Sequence, residues 1–425
     1  MLPNTVEARY LIETPLDPAD IAGVMAGEQS CGTFVRVAGE TDELRQRAAA
    51  TLLEVTEIEP LAAPSLRSAW LERKGFGAPY RRAIVRIAYP VANTGANLPT
   101  LAATVAGNLY DLGEVSGLRL EGVKLPRSYR DRFDRPVLGL QGTRDRLGVQ
   151  NRPFFGTIIK PNVGMSADQI AELVEKLCEA GVDFIKDDEI CANPDHAPLA
   201  ARIPAVMAKI RAYRDRSGRD VMMAFNITDE TDAMRRHAEL VEREGGNCVM
   251  ASLNWCGLSA IQTLRRSTPL ALHGHRNGYG AFARHPALGI GFDAYQALYR
   301  LTGLDHMHVH GIGGKFADLA EEVGEAARRC LRPLAEDAPD AGDAVLPVFS
   351  SGQWAGTIET TMSEVGSADF MFLAGGGILA HPMGPAAGVK SLRQAYATLA
   401  EGRSLAEAAK SLPELQGALD FFGKR

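Results

Sequence analysis

The sequence predicts an α/β protein: a TIM (β/α)8 barrel preceded by an α+β N-terminal domain and closed by a short helical tail. Three observations predict it. A chain of 425 residues, 46% of them hydrophobic, exceeds the usual size of a single core. From about residue 156 onward one unit recurs eight times, a short apolar run followed by a polar loop and a helix-period segment. Strands alternating with helices imply parallel pairing, and eight such units close on themselves. Residues before about 135 lack the repeat, which divides the chain into 1–135 and 136–425.

In order along the chain, strands are expected near 6–12, 33–37 and 84–89, with helices near 18–25 and 98–108. The eight barrel strands are expected at 156–160, 184–188, 222–227, 248–253, 270–274, 306–310, 345–349 and 370–373, each apolar or β-branched and bounded by turn residues. The helix after the first of these is marked at both ends. Ser166 with Gln169 three residues on forms a capping box, Ile170, Leu173, Val174 and Leu177 share a face, and Gly181 ends it. Residues 404–422 read as the helical tail.

Composition narrows the function classes. The formal net charge is −6, with Lys and Arg spread along the chain, so no nucleic-acid footprint is visible. No run of 18 apolar residues suggests a membrane span, and the N-terminus lacks the basic-then-apolar layout of a secretion signal, so a cytoplasmic protein without membrane partners is expected. Cys31, Cys178, Cys191, Cys248, Cys256 and Cys330 show no CxxC or zinc spacing and read as reduced thiols.

TIM barrels place their chemistry at the C-terminal ends of the strands, and reactive residues recur there. The second barrel strand ends Lys186-Asp187-Asp188-Glu189. Alternation puts Lys186 and Asp188 on one face and Asp187 on the other, with Glu189 where the strand runs out. Taken alone, this string reads first as a lysine ion-paired to its neighbours. It also suits Mg²⁺ if the lysine amine reacts with CO₂ and so supplies carbamate oxygens. The first strand ends at Lys160-Pro161-Asn162, and the fifth at His273-Gly274-His275-Arg276. The sixth carries His306, His308 and His310, the seventh ends at Ser350-Ser351-Gly352, and the eighth at Gly375-Gly376-Gly377. A lone strand histidine reads as a core residue, but five at two strand ends point some toward a common centre; His273, His306 and His310 stay open between packing and catalysis. Arg276 suits a phosphate, and glycines after the last strands suit anion binding by bare N–H groups. Gly311-Ile312-Gly313-Gly314-Lys315 resembles a mobile lid tipped by a lysine, without P-loop spacing.

The strings 156–161 (GTIIKP), 183–189 (DFIKDDE), 273–276 (HGHR) and 314–315 (GK) together resemble the large subunit of ribulose-1,5-bisphosphate carboxylase/oxygenase, RuBisCO, over nearly the whole chain. The resemblance implies an α+β domain followed by a TIM barrel in an obligate homodimer whose subunits share the active site. It implies Mg²⁺ held by carbamylated Lys186 with Asp188 and Glu189. It makes Lys160 the acid/base lysine, Lys315 the lid lysine and His275 a metal-side histidine. Arg276, His308 and Ser350 would hold one phosphate, and Thr33, Gly352, Gly375 and Gly376 match the other phosphate site. Glu28, within EQSCGTF, and Asn108 match segments that the partner subunit contributes.

The departures matter as much. Asn162 stands where the carboxylases carry a second lysine, Phe34 where a tryptophan is usual, Ser351 where a glycine is usual and Tyr279 where a histidine is usual. The chain therefore resembles a RuBisCO-like protein that keeps enediolate chemistry without fixing CO₂. Retained Lys315 and the strings HRNGYG, HGIGGK and SSGQWAG are similar to the branch of carbohydrate metabolism that decarboxylates 3-oxo-isoapionate 4-phosphate, a phosphorylated small-molecule substrate. The alternatives are a 5-methylthioribulose 1-phosphate isomerase, a diketo-methylthiopentyl phosphate enolase of methionine salvage, and an inactive binding or scaffold protein.

Overall fold

The computed structural model describes residues 2–32 and 37–424, so the strand expected over 33–37, with Thr33 and Phe34, lies almost wholly outside the described residues. Two compact units emerge. One comprises Met1–Asp134, Gly278–Thr302 and Pro333–Ala341; the other comprises Arg135–Asn277, Gly303–Arg332 and Gly342–Arg425.

The first unit holds β1 (Thr5–Thr14), β2 (Thr51–Leu61), β3 (Tyr80–Pro90) and β4 (Gly117–Lys124). The second begins with β5 (Phe154–Ile158), β6 (Phe184–Lys186), β7 (Met222–Asn226), β8 (Cys248–Ser252) and β9 (Ala271–His275). Then come β10 (Leu288–Ile290), which returns to the first unit, and β11 (His306–His308), β12 (Leu346–Phe349) and β13 (Met371–Leu373). In the N-terminal sheet the order is β10-β4-β1-β3-β2, antiparallel except for the β10–β4 pair. Helices Pro18–Glu28 and Leu98–Ala106 stand where the sequence placed them.

The remaining eight strands form the closed parallel barrel β11-β12-β13-β5-β6-β7-β8-β9, one for each expected strand. Every residue of β5, β6, β7 and β8 is buried, as strands covered on both faces require. Alternate strand residues Phe154, Ile158, Phe184, Met222, Ala224, Cys248, Met250, Ala271, Leu346, Val348, Met371 and Leu373 make one apolar cluster, the barrel filling. The capping box of Ser166 and Gln169 is present, and Gly181 ends the helix Ala167–Ala180 in the left-handed conformation. Helices Leu405–Ala409 and Pro413–Phe422 form the tail.

That filling fixes what reaches the rim. Side chains alternate along a strand, so the column through Phe184 continues to Lys186 and Asp188, and the column through Ile158 continues to Lys160. By the same parity Ala224 leads to Asn226, Ala271 to His273 and His275, and Leu346 and Val348 to Ser350. Met371 and Leu373 lead to Gly375. Asp187, out of phase, faces the helix Leu199–Ser217 and pairs there with Arg202.

Candidate active site

β6 ends at Lys186, so Asp188 and Glu189 stand on the loop just beyond it, earlier than the sequence places the strand end. Four contacts secure that loop. Arg202 reaches Asp187 Oδ2 at 3.1 Å, and the Asn226 backbone N–H donates to the same oxygen at 3.0 Å. The Asn226 amide group then donates to the backbone carbonyls of Asp188 and Glu189 at 3.0 and 3.1 Å. Burial raises the Asp187 carboxyl and the Arg202 charge acts against it, as in a buried ion pair.

On the inward face the charged groups form a chain. Lys160 Nζ donates to Asp188 Oδ2 at 2.6 Å and to Asn162 Oδ1 at 2.8 Å. Lys186 Nζ, fully buried, donates to the Asp187 carbonyl at 2.9 Å and lies 3.6 Å from Glu189 Oε2. His275 Nε2 lies 3.6 Å from the same Glu189 oxygen. Burial pushes the Lys186 ammonium below the ordinary lysine range, against the pull of Glu189 and Asp188.

These donors suit a hard cation only in part on their own. Among the described residues no group of three His, Cys, Asp or Glu side chains could hold a metal ion. Asp188 and Glu189 offer carboxylate oxygens, and the third ligand must come from a neighbour. The neutral amine that burial favours at Lys186 is the form that reacts with CO₂, and the resulting carbamate would complete an oxygen set fitting Mg²⁺.

The histidines on the other side of the barrel divide into two groups. Thr143 donates to the Gly139 carbonyl at 2.5 Å, so its oxygen accepts from His306 Nε2 at 3.0 Å. His306 Nδ1 therefore accepts from His273 Nδ1 at 3.4 Å, and His273 Nε2 accepts from His308 Nε2 at 2.8 Å. His308 Nδ1, left as an acceptor, takes the Ser350 hydroxyl at 3.1 Å. Partner geometry thus sets three neutral tautomers in a row. Burial agrees with it: His306 is pushed down to about 4, and His273 and His308 well below the ordinary histidine range. His273 and His306 belong to this buried hydrogen-bonded row within the barrel, whereas His275 and His310 stand nearer the rim.

The anion-binding candidates are placed unevenly. Arg276 is buried and donates to the Val309 carbonyl at 2.8 Å. Gly375 and Gly376 open the short helix Gly375–Leu379, and a Cβ on Gly376 would meet nothing within 4 Å, so its backbone can be approached. Gly352 has φ +71°. The lid glycines have a packing cause: a Cβ at Gly314 would run into the Ser351 carbonyl, and Gln353 Nε2 donates to the Ile312 carbonyl at 3.1 Å. Lys315 is exposed, its ammonium 5.5 Å from the Phe316 ring centre. In the N-terminal unit Asn108 donates to Glu28 at 3.3 Å, and Tyr279 is buried with its hydroxyl on the Ile290 carbonyl at 3.0 Å. Sequence reasoning missed Asn226, Thr143 and Asp318, the last 2.6 Å from His310.

A TIM barrel with a lysine and paired carboxylates at the end of its second strand defines a class, and comparison with known proteins gives the family. The chain matches the ribulose bisphosphate carboxylase large chain catalytic domain over residues 139–422 and its N-terminal domain over 8–129, and it belongs to that family. Within it, the chain stands with the RuBisCO-like proteins. The crystal structure of a RuBisCO-like protein from Burkholderia fungorum is similar at TM-score 0.93 and 62% identity, covering 98% of this chain and 100% of that one. A 3-oxo-isoapionate-4-phosphate transcarboxylase/hydrolase of Xanthobacter autotrophicus is 44% identical, covering 98% of this chain and 99% of its own. A 3-oxo-isoapionate-4-phosphate decarboxylase of Rhizobium rhizogenes is 38% identical over 98% of each. Among the described residues no helix is long and apolar enough to cross a membrane. Among the described residues none of the six cysteines is joined in a disulfide.

Proposed function

We propose that this chain is a Mg²⁺-dependent RuBisCO-like enzyme that removes the carboxylate of a phosphorylated 3-keto sugar acid, 3-oxo-isoapionate 4-phosphate, and does not fix CO₂. The observation that carries this is the rim chain of Lys160, Asp188, Lys186, Glu189 and His275, with Asn162 in the place of a second lysine. Similarity to relatives named for that substrate supports it.

Lys186, as carbamate, with Asp188 and Glu189 would hold the ion. Bound Mg²⁺ supplies positive charge against an oxyanion developing on the substrate's keto oxygen. Lys160, fixed between Asp188 and Asn162, holds a proton at Nζ. When the carbon–carboxylate bond breaks, its electron pair stays on the substrate as an enediolate, and Lys160 delivers that proton to the carbon. Lys315 offers a cation to the carboxylate. One substrate phosphate would rest on Thr33, Gly352, Gly375 and Gly376; at the other set Arg276 would supply the cation, while the Ser350 hydroxyl and the His308 Nε2–H are already given to His308 Nδ1 and His273. Glu28 and Asn108 would reach the site from the second subunit of a homodimer.

A second reading shares the first step. In a transcarboxylase/hydrolase the carboxyl group is moved and not released, and the 44% identity with a protein of that name favours it. Substrate carrying ¹³C in its carboxyl group, incubated with enzyme, Mg²⁺ and bicarbonate, separates the two. Decarboxylation puts the label in dissolved CO₂ and leaves a phosphorylated four-carbon ketose. Label retained in an organic acid supports the second reading. Activity on 5-methylthioribulose 1-phosphate alone would contradict both, and absence of any turnover and of Mg²⁺ binding would point to a scaffold.

A further inference from the structure

Just beyond β11 the chain leaves the barrel at His310, whose φ is +75°. Among the described residues only Asn4, His310 and Ser351 combine a side chain with such a conformation, and His310 and Ser351 stand on adjacent rim loops, the Ser350 N–H donating to the His310 carbonyl at 3.2 Å. A glycine at 310 would remove that backbone strain, so the imidazole is kept at an energetic disadvantage.

The ring is firmly aimed. Its Nδ1 lies 2.6 Å from Asp318 Oδ2, and the Phe316 ring packs on it with centroids 4.4 Å apart. The hydrogen bond from His310 holds the Asp318 carboxyl below its ordinary range, so Asp318 is an anion and Nδ1 carries the proton. Nε2 then presents a lone pair and has no protein partner among the described residues. Such an atom accepts from a hydroxyl and cannot bind a carboxylate or phosphate. Burial and the nearby Arg276 charge lower the imidazole, Asp318 raises it, and His275 also lies within electrostatic reach; the net direction keeps it neutral.

We propose that His310, oriented by Asp318, is a catalytic residue that takes the proton of the substrate hydroxyl beside the keto group and later returns it. This rests on the proposed enediolate chemistry. An enediolate has two charged oxygens, one from the ketone and one from the neighbouring hydroxyl, and that hydroxyl proton needs a base. The O–H bond breaks, an N–H bond forms at Nε2, the electron pair stays on oxygen, and Asp318 holds the imidazolium. Lys160 serves the carbon and His310 the oxygen.

The test uses the full-length enzyme and its variants His310→Gly and Asp318→Asn. H310G is expected to fold at least as stably as wild type while kcat falls about 10²- to 10⁴-fold, and added imidazole to restore tenfold or more of the loss. D318N is expected to move the acid limb of kcat/KM to lower pH, because the anion that favours the imidazolium is gone. A folded H310G with wild-type kcat would overturn the proposal, as would a loss that imidazole does not relieve together with an unmoved D318N profile. If wild type leaves 3-oxo-isoapionate 4-phosphate untouched, the function reading fails. The dyad is then decided by ¹⁵N NMR of the histidines: a proton fixed on His310 Nδ1 in wild type and redistributed in D318N supports it, and a proton on Nε2 in wild type overturns it.

Discussion

The ends of β6 and β11 lie on the same rim, yet they are built in opposite ways. At β6 the reactive lysine is wholly buried, and the following loop is pinned by Arg202 and by three hydrogen bonds from Asn226. At β11 the chain turns through a strained histidine into an exposed loop whose Phe316 and Asp318 side chains contact that histidine, with Lys315 over the Phe316 ring. The buried end carries the lysine and carboxylates that match the carboxylases. The exposed end carries His310 next to the retained Lys315. A rigid centre can be kept while chemistry is re-aimed from a loop, because side chains on a loop can change with less disturbance of the core than those of a buried strand.

That contrast can be broken most forcefully at Lys186. Lys186→Met keeps the length and buried volume of the side chain while removing the amine, so activity should fall about 10³-fold or more with little change in melting temperature; a large loss of stability instead would make Lys186 a packing residue. Next is Asn226→Ala, which frees the Asp188 and Glu189 carbonyls. It should weaken Mg²⁺ binding, read by calorimetry, by about 10- to 100-fold, while a change confined to stability would remove Asn226 from the site. Lys315→Ala should lower kcat/KM only about tenfold, the scale of one exposed charge-assisted hydrogen bond, and leave thermal unfolding unchanged. Full activity in that variant would favour a substrate without a carboxylate.

The smallest effect concerns the buried histidine row. His306 is pushed from 6.5 down to about 4 by burial, so between those values the unfolded chain binds a proton that the folded chain does not. Stability from this group is therefore complete above about pH 6.5 and is lost as pH falls toward 4. Melting temperature should fall by a few degrees over that interval; a flat profile would mean the row takes up a proton without cost.

Much of the barrel was legible because its strands are buried on both faces and bounded by turn residues. Five of the eight ends, those of β5, β6, β7, β8 and β11, were read one or two residues long, since the ladder stops where side chains must splay at the rim, as at Lys186; the end of β9 was read one residue short, and those of β12 and β13 fell in place. In the N-terminal unit β2, β4 and the short β10 escaped notice: β2 is an edge strand, largely exposed, with Glu54, Glu57 and Glu59 breaking its apolar pattern, and β4 is eight residues with Gly117 and Gly122 within it. Lys160, Lys186, Asp188, Glu189 and His275, which the structure brings together, were legible as candidates from strand-end chemistry and family resemblance. Asn226, Thr143 and Asp318 were not, because an ordinary polar residue acquires its role only from partners far along the chain or from a loop's conformation. Thr143 meets His306 across 163 positions, and Asn226 meets Asp188 across 38.

The claim on which the rest depends is that the buried end of β6 becomes a carbamate centre. It is tested by ¹³C NMR of the enzyme in ¹³C-bicarbonate, with and without Mg²⁺. One carbamate resonance is expected in wild type, strengthened by Mg²⁺ and absent from Lys186→Met. An active wild-type enzyme with no such resonance would contradict it.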